Sequence, residues 1–346
     1  MTQLADRLEA EAPGASRTVL VTSPGFDPSD PDTGKRLVAA GYRINRVEPR
    51  GGRTPAEMTE LVRDAVAVIA SSDPFTADVF AAAPHLRVIA RLGVGFDAID
   101  VRAATEAKVV VTTTPGLNAD TVAEHTLTLL LACLRRITEN DRVVRLGRWE
   151  RGGDLSPHSL AGKRVGILGY GSIGQAVRKR LNGFDVEVKI YDPAAEAPQD
   201  EACETLEELL RWSQVVSIHT PLTADTKDLI GETELGVVNR GTILVNTARG
   251  GVVNESALIG ALRDGRLAGA ALDVFAQEPP TGSPLLDMPN VVLTPHIGGL
   301  SVETMHAMSS VCVQQVLDVL AGARPKGVVN PAVLERLAPA TELPRS

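Results

Sequence analysis

Aromatic residues are scarce in this chain: 6 Phe, 3 Tyr and 2 Trp make up 3% of 346 residues. Stacking platforms for single-stranded nucleic acid are therefore few. Excess positive charge is missing as well. With 35 Lys and Arg against 43 Asp and Glu, the formal net charge is −8, which disfavours nucleic acid or an anionic membrane as the main partner. An anionic small molecule would need cations placed locally. There are only three cysteines. Cys133, Cys203 and Cys312 are far apart, show no metal-ligand spacing, and read as free thiols in a reducing compartment. No metal is expected. Long apolar runs are absent too. The longest, over 127–134, contains Thr128, is followed by Arg135 and Arg136, and is too short to span a membrane. The first residues lack the basic and apolar regions of a signal peptide, so a cytoplasmic protein is expected.

What the chain does have is an ordinary apolar content of 44%, enough to bury a core, over a length that favours about two domains. The first 17 or so residues are polar and read as loose. Strand-like runs at 18–22, 67–70, 87–91 and 109–112 are separated by helical stretches at 35–41 and 79–83. A long helix over 121–136, capped by Asn118 or Asp120, is apolar almost all round, which suits an interdomain or subunit contact. The Gly-rich and polar 147–160 stretch reads as an extended connection. A second series of strands follows at 163–168, 186–191, 215–219, 242–245, 270–273 and 291–294. A helix over 302–320 is expected to pack back on the first series. The tail after Pro331 is Pro-rich and short. Strands alternating with helices imply parallel sheets with right-handed crossovers.

Gly169-Tyr-Gly171-Ser-Ile-Gly174 follows one of these strands and opens a helix over 175–181. The first glycine permits a tight turn, the second lets backbone approach a pyrophosphate, and the third packs helix on strand. The helix N-terminus adds free N–H donors and a favourable dipole. Asp192 ends the next strand, 18 positions after Gly174. A carboxylate there accepts from ribose hydroxyls and repels a 2′-phosphate, which favours NAD over NADP. A methyltransferase has a comparable loop and acid, but has no need of the residues that follow.

Those residues are Arg249, Glu278 and His296, each just past an apolar strand run. Alone, each reads more readily as structural or as solvated surface. Ligands of open α/β sheets bind beyond the carboxyl ends of strands, so the three can converge on whatever the glycine loop binds. Together they offer an anion clamp, a proton carrier and a carboxylate to tune it, the set required to reduce or oxidise a carbon–oxygen bond beside a nicotinamide.

In these positions the sequence resembles the D-isomer-specific 2-hydroxyacid dehydrogenase family. The likeness runs from about Arg87 to Pro331. It rests on Gly93-Val-Gly-Phe-Asp-Ala-Ile-Asp100, Thr114-Pro-Gly-Leu-Asn118, Val122-Ala-Glu-His125, the glycine loop, His219-Thr-Pro-Leu222, Asn246-Thr-Ala-Arg-Gly250, Asp273-Val-Phe275, Thr294-Pro-His-Ile-Gly-Gly299 and Val329-Asn-Pro331.

The resemblance implies that Arg249 holds the substrate carboxylate. His296 exchanges a proton with the 2-oxo oxygen, and Glu278 binds the other ring nitrogen. It implies further carboxylate donors along the backbone of Leu92, Gly93, Val94 and Gly95, with added charge from Arg91. Cofactor contacts would come from Thr114, Gly169, Gly171, Ser172, Ile173, Gly174, Asp192, Thr220, Thr247, Ala248, Arg249, His296 and Gly298, with Asp273 accepting from the nicotinamide carboxamide. His219 is expected to be structural or adenine-adjacent.

The implied fold is α/β, with two Rossmann-like or flavodoxin-like domains containing parallel sheets. A cofactor domain (114–298) is inserted into a substrate domain (1–113 and 299–335), followed by a tail (336–346). The expected activity is NAD-dependent oxidoreduction of a 2-hydroxyacid, with a small anionic substrate and a homodimer formed through the cofactor domain. 3-Phosphoglycerate dehydrogenase is a leading candidate, with glyoxylate or hydroxypyruvate reduction as its nearest rival. A corepressor-like NAD-sensing protein is the alternative from another class. Feedback control through a C-terminal regulatory domain, as in longer phosphoglycerate dehydrogenases, is not expected. Ala98 and Asn254 depart from the Asn and Asp that many members carry, which leaves substrate preference open.

Overall fold

The computed structural model describes residues 17–48 and 50–337. The expectation of a loose N-terminus falls outside these residues, as does nearly all of the 336–346 tail. The chain divides into two compact units, one made of 1–117 and 302–346, the other of 118–301.

In the first unit, β1 (Thr18–Val21), β2 (Arg43–Arg46), β3 (Ala65–Ala70), β4 (Val88–Arg91) and β5 (Val110–Thr112) form a parallel sheet in the order β2-β1-β3-β4-β5. All six residues of β3 are buried, as expected of a central strand covered on both faces. Alternate side chains go to opposite sides. Val19, Val21, Ile69 and Val88 pack with Met305, Met308, Val313 and Val316 of the Val302–Leu320 helix. Leu20, Val68 and Ile89 pack with Met58, Val79 and Ala104 from helices on the other face. The 302–320 helix thus returns to the first sheet as expected. The edge strand β2 was not legible, because its Arg-Ile-Asn-Arg carries no apolar pattern and is mostly exposed.

The returning chain closes the far edge. Gly327 and Val329 bond β5 antiparallel, through Thr113 N to Gly327 O (2.9 Å) and Val329 N to Val111 O (2.8 Å). Asn330 accepts from Val111 N (2.9 Å) and donates to Val109 O (2.9 Å). Buried Gln315 binds Thr112 Oγ1 (2.9 Å) and Thr113 O (2.8 Å). These bonds give the Val-Asn-Pro motif its physical purpose, since an uncovered edge leaves a row of backbone groups unpaired.

In the second unit, β6 (Arg164–Leu168), β7 (Glu187–Tyr191), β8 (Val215–Ile218), β9 (Thr242–Asn246), β10 (Leu267–Leu272) and β11 (Val291–Leu293) run parallel in the order β11-β10-β9-β8-β6-β7. Val165, Ile167, Val245 and Ala271 pack under Leu127, Leu130 and Leu134 of the Ala119–Arg135 helix and Val177 and Leu181 of the Ser172–Leu181 helix. Leu168, Ile218, Leu244 and Leu272 face Leu209, Leu235 and Leu258 on the opposite side. Both domains have the parallel α/β architecture expected.

The long helix keeps nearly its expected span, Ala119–Arg135. Asn118 occupies its N-cap position but makes no side-chain capping bond. At the other end Arg136 adopts φ +48°, and a second helix, Ile137–Arg145, starts immediately. The left-handed residue ends the long helix within one residue of the expected 121–136 bound, and the second helix lies where the sequence suggested no element. The tail after Pro331 likewise begins with a short helix, Ala332–Leu337.

Candidate active site

Strand order in the second sheet reverses between β6 and β8, and the glycine loop leaves β6 at that point. Gly169 has φ +93°, and a Cβ there would lie 2.8 Å from Thr220 N, on the chain leaving β8. Only glycine permits this turn against its neighbour. Ser172 and Ile173 open the helix, and Gly174 is buried in its first turn. Within the described residues, no protein acceptor takes the N–H groups of Ser172 or Ile173. Gly171 is exposed, and a Cβ there would meet no protein atom. Room and free donors at a helix N-terminus suit a pyrophosphate.

Asp192 receives Tyr170 N on one oxygen (2.6 Å) and Ala194 N (2.8 Å) and Ala195 N (3.1 Å) on the other. It therefore ties the glycine loop to the end of β7. A carboxylate has about four acceptor positions, so one remains for a hydroxyl. Thr220 Oγ1 bonds Leu168 O (3.3 Å). His219 Nε2 meets Ser217 Oγ (2.8 Å), whereas its Nδ1 is buried without a protein partner. Burial pushes the His219 ring down to about 3, so it is neutral and carries no proton for chemistry near pH 7.

Asn246 ends β9 and braces the next turn. Its side chain accepts from Ala248 N (3.0 Å) and donates to Arg249 O (2.9 Å). Thr247 Oγ1 meets Thr126 Oγ1 of the long helix (2.8 Å). Gly250 lies so close to the Phe275 carbonyl and Ala276 nitrogen that any side chain would collide with them. The loops carrying Arg249 and Glu278 are thereby pressed together. Arg249 Nη1 bonds Ala248 O (2.8 Å).

His296 Nδ1 lies 2.7 Å from Glu278 Oε2, and Glu278 Oε1 accepts from Phe275 N (3.1 Å). A carboxylate only accepts, so Nδ1 carries the hydrogen and Nε2 is left for another partner. Both side chains are about one-third exposed, 33% and 30%. His296 has φ +56°, a conformation unusual for a residue with a Cβ. Asp273 holds that turn. It accepts from Thr294 Oγ1 (2.6 Å), Ile297 N (2.9 Å) and Gly298 N (2.8 Å), while its own carbonyl receives His296 N (2.8 Å). His125 Nε2 approaches Asp273 Oδ1 at 3.3 Å and Thr294 Oγ1 at 3.0 Å. Burial opposes ionisation of Asp273, but these donors together outweigh it and hold the carboxyl below the ordinary aspartate value.

Arg91, the 92–95 loop and Thr114 lie in the first unit. Leu92 N bonds Ala70 O (2.9 Å) and Gly93 N bonds Thr114 Oγ1 (2.9 Å). Two of the four expected backbone donors are thus engaged within the unit, and Thr114 serves the same loop. Val94 and Gly95 N–H groups meet no acceptor among the described residues. Arg91 bonds Leu92 O. At the switch between β1 and β3, Arg53 Nη1 pairs with Asp73 (2.6 Å), both side chains being 3% exposed. Asp73 also receives Thr22 Oγ1 and Ser71 N. Asn254 caps the Glu255–Arg263 helix through Ala257 N (3.0 Å), a task Asp performs equally well.

Sequence reasoning missed His125, Thr294, Asn246 and Thr126 as parts of the site. All four stand in or beside motifs that carry the resemblance, but their partners are 100 or more positions away or turn back locally, beyond what spacing reveals. No group of residues suited to a metal ion occurs among those described, and no described helix is long and apolar enough to cross a membrane.

Residues 127–298 match the NAD binding domain model of the D-isomer specific 2-hydroxyacid dehydrogenases. The chain is 42% identical over 289 residues to a glyoxylate reductase of Thermofilum pendens, covering 81% of this chain and 85% of that one. It is 38% identical over 318 residues to a D-3-phosphoglycerate dehydrogenase of Methanocaldococcus jannaschii, covering 90% of this chain but 59% of the relative. Among solved structures, an NADPH-dependent glyoxylate/hydroxypyruvate reductase of Sinorhizobium meliloti superposes with a TM-score of 0.79 at 32% identity, covering 92% and 98% of the two chains.

Proposed function

Because this chain belongs to the D-isomer specific 2-hydroxyacid dehydrogenase family, we propose that it reduces a small, unphosphorylated 2-oxoacid of the glyoxylate or hydroxypyruvate kind, with NADH as donor. The chain is an oxidoreductase that acts on a CH–OH group and binds NAD.

The hydrogen-bonded His296–Glu278 pair carries the reading. When bound, the cofactor supplies or accepts the hydride at substrate C2. His296 Nε2 gives the 2-oxo oxygen its proton, and Glu278, fixed by Phe275 N, accepts from Nδ1 and holds the ring in place. Arg249 takes the substrate carboxylate as a planar two-donor clamp. In the first unit, the Val94 and Gly95 N–H groups are the proposed backbone donors to an anion. Ser172 and Ile173 hold the pyrophosphate, and Asp192 accepts from the ribose. Its negative charge disfavours a 2′-phosphate.

Two observations favour a small substrate over phosphohydroxypyruvate. Arg53, a cation at the strand ends of the first unit, is committed to Asp73, and breaking such a buried pair costs about 3–5 kcal/mol. Among the relatives, several glyoxylate reductases are 36–42% identical to this chain. We further assign a homodimer to the second unit, where Ile137, Val144, Leu146 and Trp149 are 54–79% exposed; such a patch marks an association surface.

The test is a steady-state screen of glyoxylate, hydroxypyruvate, phosphohydroxypyruvate and branched 2-oxoacids with NADH and NADPH. Preference for phosphohydroxypyruvate would transfer the assignment to phosphoglycerate oxidation. Binding of NADH with no turnover of any acid would favour the NAD-sensing binding protein.

A further inference from the structure

We infer that His125 is a positioning residue for the proposed acid–base group, acting through Thr294 and Asp273. This inference rests on the functional reading above for its kinetic consequences, but its geometry stands alone.

His125 lies on the Ala119–Arg135 helix, 171 positions before His296 in sequence. Its side chain is 16% exposed and its Nε2 points to Thr294 Oγ1 (3.0 Å) and Asp273 Oδ1 (3.3 Å). The direction of these bonds follows by elimination. Asp273 is ionised, so it only accepts, and Thr294 must donate to it at 2.6 Å. A hydroxyl has one hydrogen. Toward His125, Thr294 can therefore only accept, and His125 Nε2 must carry a hydrogen. The ring is locked as the Nε2–H form or the imidazolium, and donates into both partners.

The partners matter because they flank His296. Asp273 takes the amides of Ile297 and Gly298 just after it, and Thr294 stands two residues before it. With φ at +56°, His296 depends on these bonds for its backbone conformation. Removing the His125 donor leaves Asp273, 1% exposed, with one fewer compensating bond. Thr294 also loses a constraint on its hydroxyl. The turn can then drift, and a displacement near 1 Å at a reacting group costs on the order of a hundredfold in rate.

Histidine-selective 15N labelling with long-range 1H–15N correlation reads the tautomer directly. We expect His125, assigned by its loss in His125→Gln, to carry hydrogen on Nε2; a neutral ring with hydrogen on Nδ1 alone overturns the inference, whatever the activity. In kinetics, His125→Phe should lower kcat by about tenfold to a hundredfold while the Kd for NADH stays within about threefold. His125→Gln, which keeps an N–H donor, should recover to within about threefold of the parent. Thr294→Val should reproduce the Phe defect, and provides the kinetic arm if the Phe variant does not fold. Unchanged kcat in both His125→Phe and Thr294→Val, NADH binding lost in step with kcat, or a Gln variant no better than Phe, each overturns it. If the parent protein reduces no 2-oxoacid, the functional reading fails, and the tautomer measurement still decides this one.

Discussion

Glu278 holds His296 from one side of the ring with a 2.7 Å bond to Nδ1, and it is itself fixed by an amide three residues earlier in its own loop. The free face of the imidazole is thereby set by a carboxylate that cannot rotate away without losing a second bond. His296→Ala should lower kcat by about a hundredfold or more, with NADH affinity nearly unchanged. Glu278→Ala should be damaging too, by about tenfold or more, because the ring loses its orientation. Fluorescence titration with NADH beside steady-state kinetics checks both, and a His296→Ala protein with near-normal turnover removes it from the mechanism.

Arg249→Lys keeps the charge but not the two-donor plane. A charged hydrogen bond contributes about 1.5–3 kcal/mol, so kcat/KM for the oxoacid should fall roughly 10- to 150-fold while NADH binding holds. Equal loss of both would point to a disturbed fold around Gly250 instead.

Asp192→Ala should narrow the preference for NADH over NADPH. It should also weaken NADH itself, since Tyr170 N loses its 2.6 Å partner and the glycine loop loosens. Cofactor selectivity that stays the same contradicts the ribose assignment.

His219 predicts an acid sensitivity. Its folded value, about 3, lies below the ordinary 6.5 because burial penalises the charged ring. Between these values the unfolded chain binds a proton that the folded chain refuses. Its stabilising effect is complete above pH 6.5 and is lost as the pH falls toward 3. Replacing His219 with Gln should flatten the loss of stability over that window, as read by denaturant unfolding at a series of pH values. A variant as acid-sensitive as the parent argues against a buried neutral ring.

Trp149→Glu combined with Leu146→Glu should convert a dimer into monomers, measurable by light scattering on a sizing column. An unchanged mass would move the association surface elsewhere.

Much of this architecture is legible in the amino-acid sequence. Apolar runs located most central strands, because strands covered on both faces are written in Val, Ile and Ala. The glycine loop, Asp192 and the trio could be named from spacing after strands. The edge strand at 43–46 could not, since only Ile44 of its four residues is apolar and its pairing is set by β1. The helix at 137–145 was equally invisible, because only Val143 of it is buried and its sequence is mostly polar. Hydrogen-bond direction was beyond reach as well. Gly93 looked like a donor to substrate, yet its N–H is taken by Thr114, and His125 gained a role only when the 119–135 helix met the turn after β11.

The closing of β5 by residues 327–330 bears on biosynthesis. The 118–301 unit is a continuous segment and can fold as soon as it clears the ribosome, since domains generally fold as units. The first unit cannot. Its sheet waits, with one apolar face bare, for the 302–320 helix and for Asn330 to reach back more than 200 positions to Val109 and Val111. A nascent chain stalled after residue 301 would carry a finished cofactor unit behind an open, adhesive sheet, the state most in need of a chaperone.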